Sequence, residues 1–201
     1  QQVLRELLDI HCTVVACQDT ELKSTLSRLS EKPKLIITDS QAFARVARDT
    51  PDDIPLTSFS ILFARYKGRL NALVRGASAL SKLSDGDRVL ISEGCTHHRQ
   101  CGDIGTVKLP AMIRRFCCAE PDFGFTSGRD FPDFSSDDHR YSLVMHCGGC
   151  MLNEREMQNR IDAAERAGIP VVNYGVAIAH MNGILRRSLA PLGDDILSVL
   201  D

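Results

Sequence analysis

Short apolar runs bounded by turn residues alternate with amphipathic stretches along this chain, and that alternation restricts the fold more than any other feature. Lys34–Thr38, Arg88–Ser92, Tyr141–His146 and Ile169–Tyr174 read as strands, and so do Cys12–Cys17, Ile54–Ser60 and Phe123–Ser127. Val3–Ile10 reads as a helix, Gln18-Asp19-Thr20 caps a second through Ser30, and Asp39-Ser40 starts a third through Arg48. After Leu70 the apolar residues Leu73, Val74, Ala77, Leu80 and Leu83 recur at helical spacing. Pro110–Phe116, Met151–Ala167 (closing at Gly168) and Ala177–Leu189 complete the helices, while Thr50-Pro51-Asp52-Asp53 is a turn and Arg129–Asp138 an irregular loop. The expected architecture is α/β: two small parallel-sheet α/β domains with flanking helices, divided at the polar break Ser84-Asp85-Gly86-Asp87 into residues 1–84 and 85–201.

Charge and composition remove several classes of function. The net charge of −2 and the scattered basic residues give no electrostatic footprint for nucleic acid. No run approaches the roughly eighteen consecutive apolar residues of a membrane span. Eight cysteines in a chain this rich in apolar residues point to a reducing, intracellular setting with metal-binding thiols, not to a disulfide scaffold. The opening Gln1-Gln2-Val3-Leu4-Arg5-Glu6 has neither initiator nor signal-peptide character and reads as the interior of a longer chain. Phosphate-loop, dinucleotide-binding and nucleophile-elbow motifs are all missing.

The chemistry concentrates in a split cluster of soft ligands. Cys95-Thr96-His97 and His146-Cys147-Gly148-Gly149-Cys150 are remote in sequence, and each follows a predicted strand. Both therefore belong at the carboxyl ends of strands in one sheet, where α/β folds gather ligands. The Cys147–Cys150 turn is expected to open a helix, so that backbone N–H groups and the helix dipole face its sulfurs.

Three thiolates with nearby imidazoles admit a zinc site completed as Cys₃His, a redox dithiol at Cys147 and Cys150, or an iron–sulfur cluster. The distant Cys95 piece has no role in a dithiol, which favours a metal, but spacing does not separate zinc from iron–sulfur. His97 and His146 are candidates for a fourth ligand or an outer hydrogen bond, and Cys101 is near enough in sequence to Cys95 to join them. Cys12 and Cys17 read as small buried hydrophobes, Cys117-Cys118 as structural, and His98, His139 and His180 as solvated or locally bonded.

Several segments together resemble one family. They are Thr38-Asp39-Ser40-Gln41-Ala42-Phe43, the run from Asp53 through Ser58-Phe59-Ser60 to Tyr66-Lys67-Gly68, Cys95-Thr96-His97-His98, His146 to Asn153, and Asn173 to Ala179. In these the chain resembles the [FeFe]-hydrogenase maturation GTPases, the HydF family, over nearly its whole length. The resemblance implies a GTP-binding domain that is missing here, so that residues 1–84 would be the dimerization domain and 85–201 the iron–sulfur cluster-binding domain. It implies a [4Fe-4S] cluster on Cys95, Cys147 and Cys150, with the fourth iron exchangeable unless Cys101 closes it. It further implies a cytoplasmic, non-enzymatic scaffold or carrier that delivers a di-iron precursor. The implied partners are a second copy of the chain, apo-[FeFe]-hydrogenase and the two radical maturases, with no nucleic acid and no membrane. The reading outside this resemblance is a zinc-stabilised interaction domain.

Overall fold

The computed structural model describes residues 2–67, 69–94, 103–134 and 141–201. Strand–helix alternation produces two parallel sheets, as the apolar pattern predicts. The first holds β1 (Ile36–Thr38) and β2 (Leu56–Ser58), with Ile36 opposite Leu56 and Thr38 opposite Ser58. Helix α1 (Gln2–Asp9) and α2 (Leu22–Arg28) precede them, and α3 (Phe43–Asp49) is the crossover. The second sheet comprises β3 (Arg88–Glu93), β4 (Asp122–Ser127), β5 (Leu143–His146) and β6 (Val171–Asn173) in the order β4-β3-β5-β6, all parallel. Its crossovers include α6 (Leu109–Cys117) and α7 (Glu154–Arg166). The core is built from Val89, Leu90 and Ile91 of β3, Leu143, Val144 and Met145 of β5, and Val171 and Val172 of β6.

Side-chain caps move several boundaries away from the sequence expectations. Ser58 ends β2 because its hydroxyl accepts the N–H of Ile61 at 3.3 Å and turns the chain into α4 (Phe59–Tyr66), so Phe59 and Ser60 are helical and not strand. Asn153 caps α7 through Glu156 N–H at 2.8 Å, so the helix begins after the Cys147–Cys150 loop instead of being opened by it. Asn173 caps α8 (Tyr174–Met181) in the same way through Val176 N–H. Gly183, at φ +69°, separates that helix from α9 (Leu185–Leu189), where one continuous helix was expected. A short α10 (Asp194–Leu197) follows.

The segment from Cys12 to Cys17 departs furthest. It forms no strand, and all of it except Val14 is exposed. A strand needs a neighbour for its N–H and C=O groups, and among the described residues none is offered to it. The cysteines at its ends are thus exposed, not core hydrophobes. Helix α1 likewise has no buried residue, and Leu4, Leu8 and Ile10 face solvent.

The two sheets meet by their carboxyl ends. Asn173 at the end of β6 donates to the Ser60 carbonyl at 2.9 Å, and Ser40 and Ser60 hydroxyls lie 3.0 Å apart just beyond β1 and β2. Gly175 is packed so closely that a Cβ there would lie 2.5 Å from Ser60 Cβ and 3.1 Å from Ser58 Oγ. Arg187 of α9 extends this seam by donating to the carbonyls of Ala47, Thr50 and Pro51. Helix α5 (Leu70–Ala77), which precedes the polar break at Ser84, packs on β6 of the second sheet. No helix among the described residues is long and apolar enough to cross a membrane.

Gly76 is the closest point of that α5 contact: a Cβ there would sit 1.9 Å from the Val171 carbonyl oxygen. An exposed helical Gly→Ala change gains about 0.8–1 kcal/mol from propensity. Here the sign is expected to reverse, with Gly76→Ala losing about 2 kcal/mol of unfolding free energy through overpacking. Denaturant titration of the two proteins checks it, and a stabilised variant would contradict the packing.

Candidate metal centre

The order β4-β3-β5-β6 contains one reversal. From β3 the chain first builds outward through β4, then returns to the opposite side of β3 with β5. The crevice beyond the carboxyl ends of β3 and β5 is therefore the topological switch point, the usual ligand position of an open parallel sheet. Ser92 of β3 pairs with His146 of β5, and Cys147 N–H continues the ladder to the Ser92 carbonyl at 2.9 Å. Cys147 thus leaves its strand level with Glu93 and Gly94 on the neighbouring one.

Two backbone N–H groups point at Cys147 Sγ, from Gly94 at 3.1 Å and from Gly149 at 3.4 Å. Donors aimed at sulfur favour the thiolate over the thiol. They come from the loop and the neighbouring strand end, not from a helix N-terminus. Both positions need glycine: Gly149 adopts φ +61° with Met157 Sδ 3.0 Å from where a Cβ would stand, and a Cβ on Gly94 would meet the Leu152 side chain at 2.7 Å. Cys150 is exposed at the rim.

The loop is held from below by Lys67, at the end of α4. This lysine is only 5 % exposed, and its ammonium donates to the carbonyls of Gly149, at 2.7 Å, and Leu152. Burial pushes its pKa down, while the nearby Cys150, Cys147 and Glu154 pull it back up. Ser60 also belongs to this floor, its hydroxyl lying 3.6 Å from where a Gly148 Cβ would stand. Helix α4 and the residue that ends it therefore supply the underside of a loop that the second sheet presents.

Both ring nitrogens of His146 have partners. Its Nδ1 lies 2.8 Å from the Cys147 carbonyl and its Nε2 3.2 Å from Arg160 Nη1, so it is a neutral imidazole donating through Nδ1 and accepting at Nε2. Arg160, 3 % exposed, also donates to Glu156 and to the Gly128 carbonyl, and its guanidinium stacks 5.0 Å over Phe131. Burial pushes His146 down to about 4, with the Arg160 charge adding to the effect against the Cys147 hydrogen bond.

Models of two family domains match the chain. Residues 1–68 match the hydrogen maturase F dimerization domain and residues 71–191 the hydrogen maturase F tetramerization domain. The chain belongs to the hydrogen maturase F family. The family's role is hydrogenase maturation, and both matched domains are assembly domains, neither of them GTP-binding. No curated protein matches the chain.

Of the ligand set expected for this hydrogen maturase F chain, Cys147 and Cys150 share the loop just described, while Cys95, His97 and Cys101 lie outside the described residues, as do His98 and His139. Among the described residues no group of three or more His, Cys, Asp or Glu side chains converges on a common metal position. The donors that are described, a sulfur taking two N–H groups beside a buried ammonium, fit an anionic metal–thiolate assembly. Cys117 and Cys118 end α6, the latter in a left-handed turn at φ +55°, and His180 contacts Ser81 Oγ and the edge of Phe116.

Neither Lys67, although it lies in the family-like run ending Tyr66-Lys67-Gly68, nor Arg160 is among the candidate site residues of the sequence. Arg160 was detectable: it occupies the apolar stripe Met157, Ile161, Ala164 at helical spacing, a charge where a hydrophobe belongs. Lys67 carries no such local signal.

Because His146 is neutral in the fold, the metal-free chain is expected to lose stability as pH falls. The unfolded histidine takes up a proton near 6.5 and the folded one near 4, so the loss accumulates between those values and reaches about 3 kcal/mol. Asp87, held low first by the Ser142 hydroxyl and then by the Ser84 N–H, acts only below its ordinary 3.8. Unfolding free energies measured from pH 7 to 4 check the window. A His146→Gln variant should flatten the slope across it.

Proposed function

We propose that this chain is an iron–sulfur scaffold in hydrogenase maturation. Cys95, Cys147 and Cys150 hold a [4Fe-4S] cluster, and a di-iron precursor is the cargo delivered to apo-[FeFe]-hydrogenase, with the two radical maturases as further partners. The observation that carries this reading is the Gly94 N–H on Cys147 Sγ at 3.1 Å, because Gly94 is the residue before Cys95. It supports two remote cysteine segments serving one site at the switch point.

When bound, such a cluster supplies one iron without a protein thiolate, a position a guest ligand can enter and leave. The chain's own residues divide the remaining work. Gly94 and Gly149 donate N–H groups to sulfur, and Lys67 braces the loop. His146 orients the loop through the Cys147 carbonyl, with both ring nitrogens already engaged, which leaves His97 and Cys101 as candidates for the fourth position. Eight cysteines in a chain with so large an apolar core suit metal-binding thiols in a reducing compartment such as the cytoplasm.

Anaerobic reconstitution is expected to give about four irons and four sulfides per chain, and Cys147→Ala with Cys150→Ala together should abolish uptake. One zinc without sulfide in anaerobically purified protein would overturn the reading in favour of a zinc-stabilised interaction domain.

Self-association fits the first sheet. A two-stranded sheet is marginal alone, and a groove lined by Val3, Leu7, Ile10, Leu35, Ile37 and Tyr66 runs beside β1. With Leu4 and Leu8 exposed on the same helix α1, a second copy of the chain is the natural cover for this face. Light scattering at micromolar concentration is expected to give a dimer or larger assembly, shifted toward monomer by Ile10→Glu. A clean monomer of the unaltered chain would refute it.

A further inference from the structure

We propose that Lys67 is a positioning residue for the cluster-binding loop, carrying both the shape of the Cys147–Cys150 turn and a positive charge from the dimerization segment to the sulfurs. The proposal rests on the iron–sulfur reading above and goes beyond it in naming the residue that links the two matched domains at the site. Burying an ammonium is costly unless its donors are used, and a methionine of similar length would fill the same space with no such cost. The side chain must therefore be held by what it touches. Lys67 donates to the carbonyls of Gly149 and Leu152, which bracket Cys150, and both carbonyls belong to the other matched domain.

The backbone of Lys67 is held from the same direction. Gln158 of α7 donates to its carbonyl at 3.1 Å, so α7 and the loop before it grip the residue at both ends. Arg69, two residues on, pairs with Asp162 and Glu165 on the same helix. A change in how the dimerization segment sits on α7 thus reaches the loop through one side chain.

Charge gives a second effect. Three thiolates on a [4Fe-4S] core leave it anionic, and reduction adds another negative charge. A fixed ammonium beside the sulfurs stabilises the reduced form more than the oxidised one, which raises the midpoint potential. Removing the charge lowers the potential; keeping it with a different shape does not.

The test compares the unaltered chain with Lys67→Gln, Lys67→Met and Lys67→Arg after anaerobic reconstitution. Iron and sulfide content, the midpoint potential from a redox titration followed by electron paramagnetic resonance, and the rate of iron loss to a ferrous chelator are read for each. We expect Lys67→Gln and Lys67→Met to load iron yet show a lowered potential and chelator loss faster by roughly tenfold. Lys67→Arg should return the potential toward that of the unaltered chain. If Lys67→Met fails to fold, the Gln and Arg variants decide the matter between them. Equal potentials and chelator rates in the unaltered, Gln and Arg proteins would overturn the role of Lys67 while leaving the scaffold reading intact. Failure of the unaltered chain to take up iron and sulfide would instead overturn the scaffold reading, and this inference with it.

Discussion

The parallel pairing of β3 with β5 is the constraint on which the rest of the molecule depends. With Ser92 opposite His146, the two strands run out at the same level, and whatever follows each must share one crevice. A one-residue slip would turn every side chain of β5 to the opposite face and bring polar His146 into the place of an apolar neighbour. Leu143, Val144 and Met145 are buried on both faces of the strand, so polar His146, held by Arg160 and the Cys147 carbonyl, is what fixes the register. Cys147 consequently leaves the sheet at one height, with the Gly94 N–H already facing its sulfur.

Around that point the fold accepts buried polar groups that a purely structural core would avoid. His146, Arg160 and Lys67 are each nearly inaccessible, and each has its donors or acceptors taken up by carbonyls or by one another. Hydrogen bonds of this kind contribute modestly when made and cost several times more when one partner is lost. They hold the loop in one conformation more than they add to stability. The Arg160 guanidinium collects the ends of β4 and β5 together, through the Gly128 carbonyl and His146, and Phe131 closes over it.

Much of this was legible in the amino-acid sequence where a pattern is local. The apolar runs of β3, β5 and β6 and the helical spacing after Leu70 announced a parallel α/β fold, and turn glycines and polar caps marked most element ends to within a few residues. What escaped depended on partners remote in sequence. The Cys12–Cys17 run has the composition of a strand but finds no neighbour within the described chain. Ser58 and Asn153 looked like ordinary strand or helix residues until their side chains were seen capping. The candidate centre divided in the same way: the cysteine motif stood out by spacing alone, whereas Lys67, brought in from the end of α4, lies in a family-like segment but in no local pattern that marks a buried ammonium.

Asn173 carries a consequence for how the molecule comes apart. One amide group both caps α8 through its oxygen and grips the Ser60 carbonyl through its nitrogen. Prising the first sheet away from the second therefore frees one of the two hydrogen bonds that fix the orientation of this capping amide. One side chain thus belongs at once to a helix start and to the seam between the halves, so the seam and that cap share a residue.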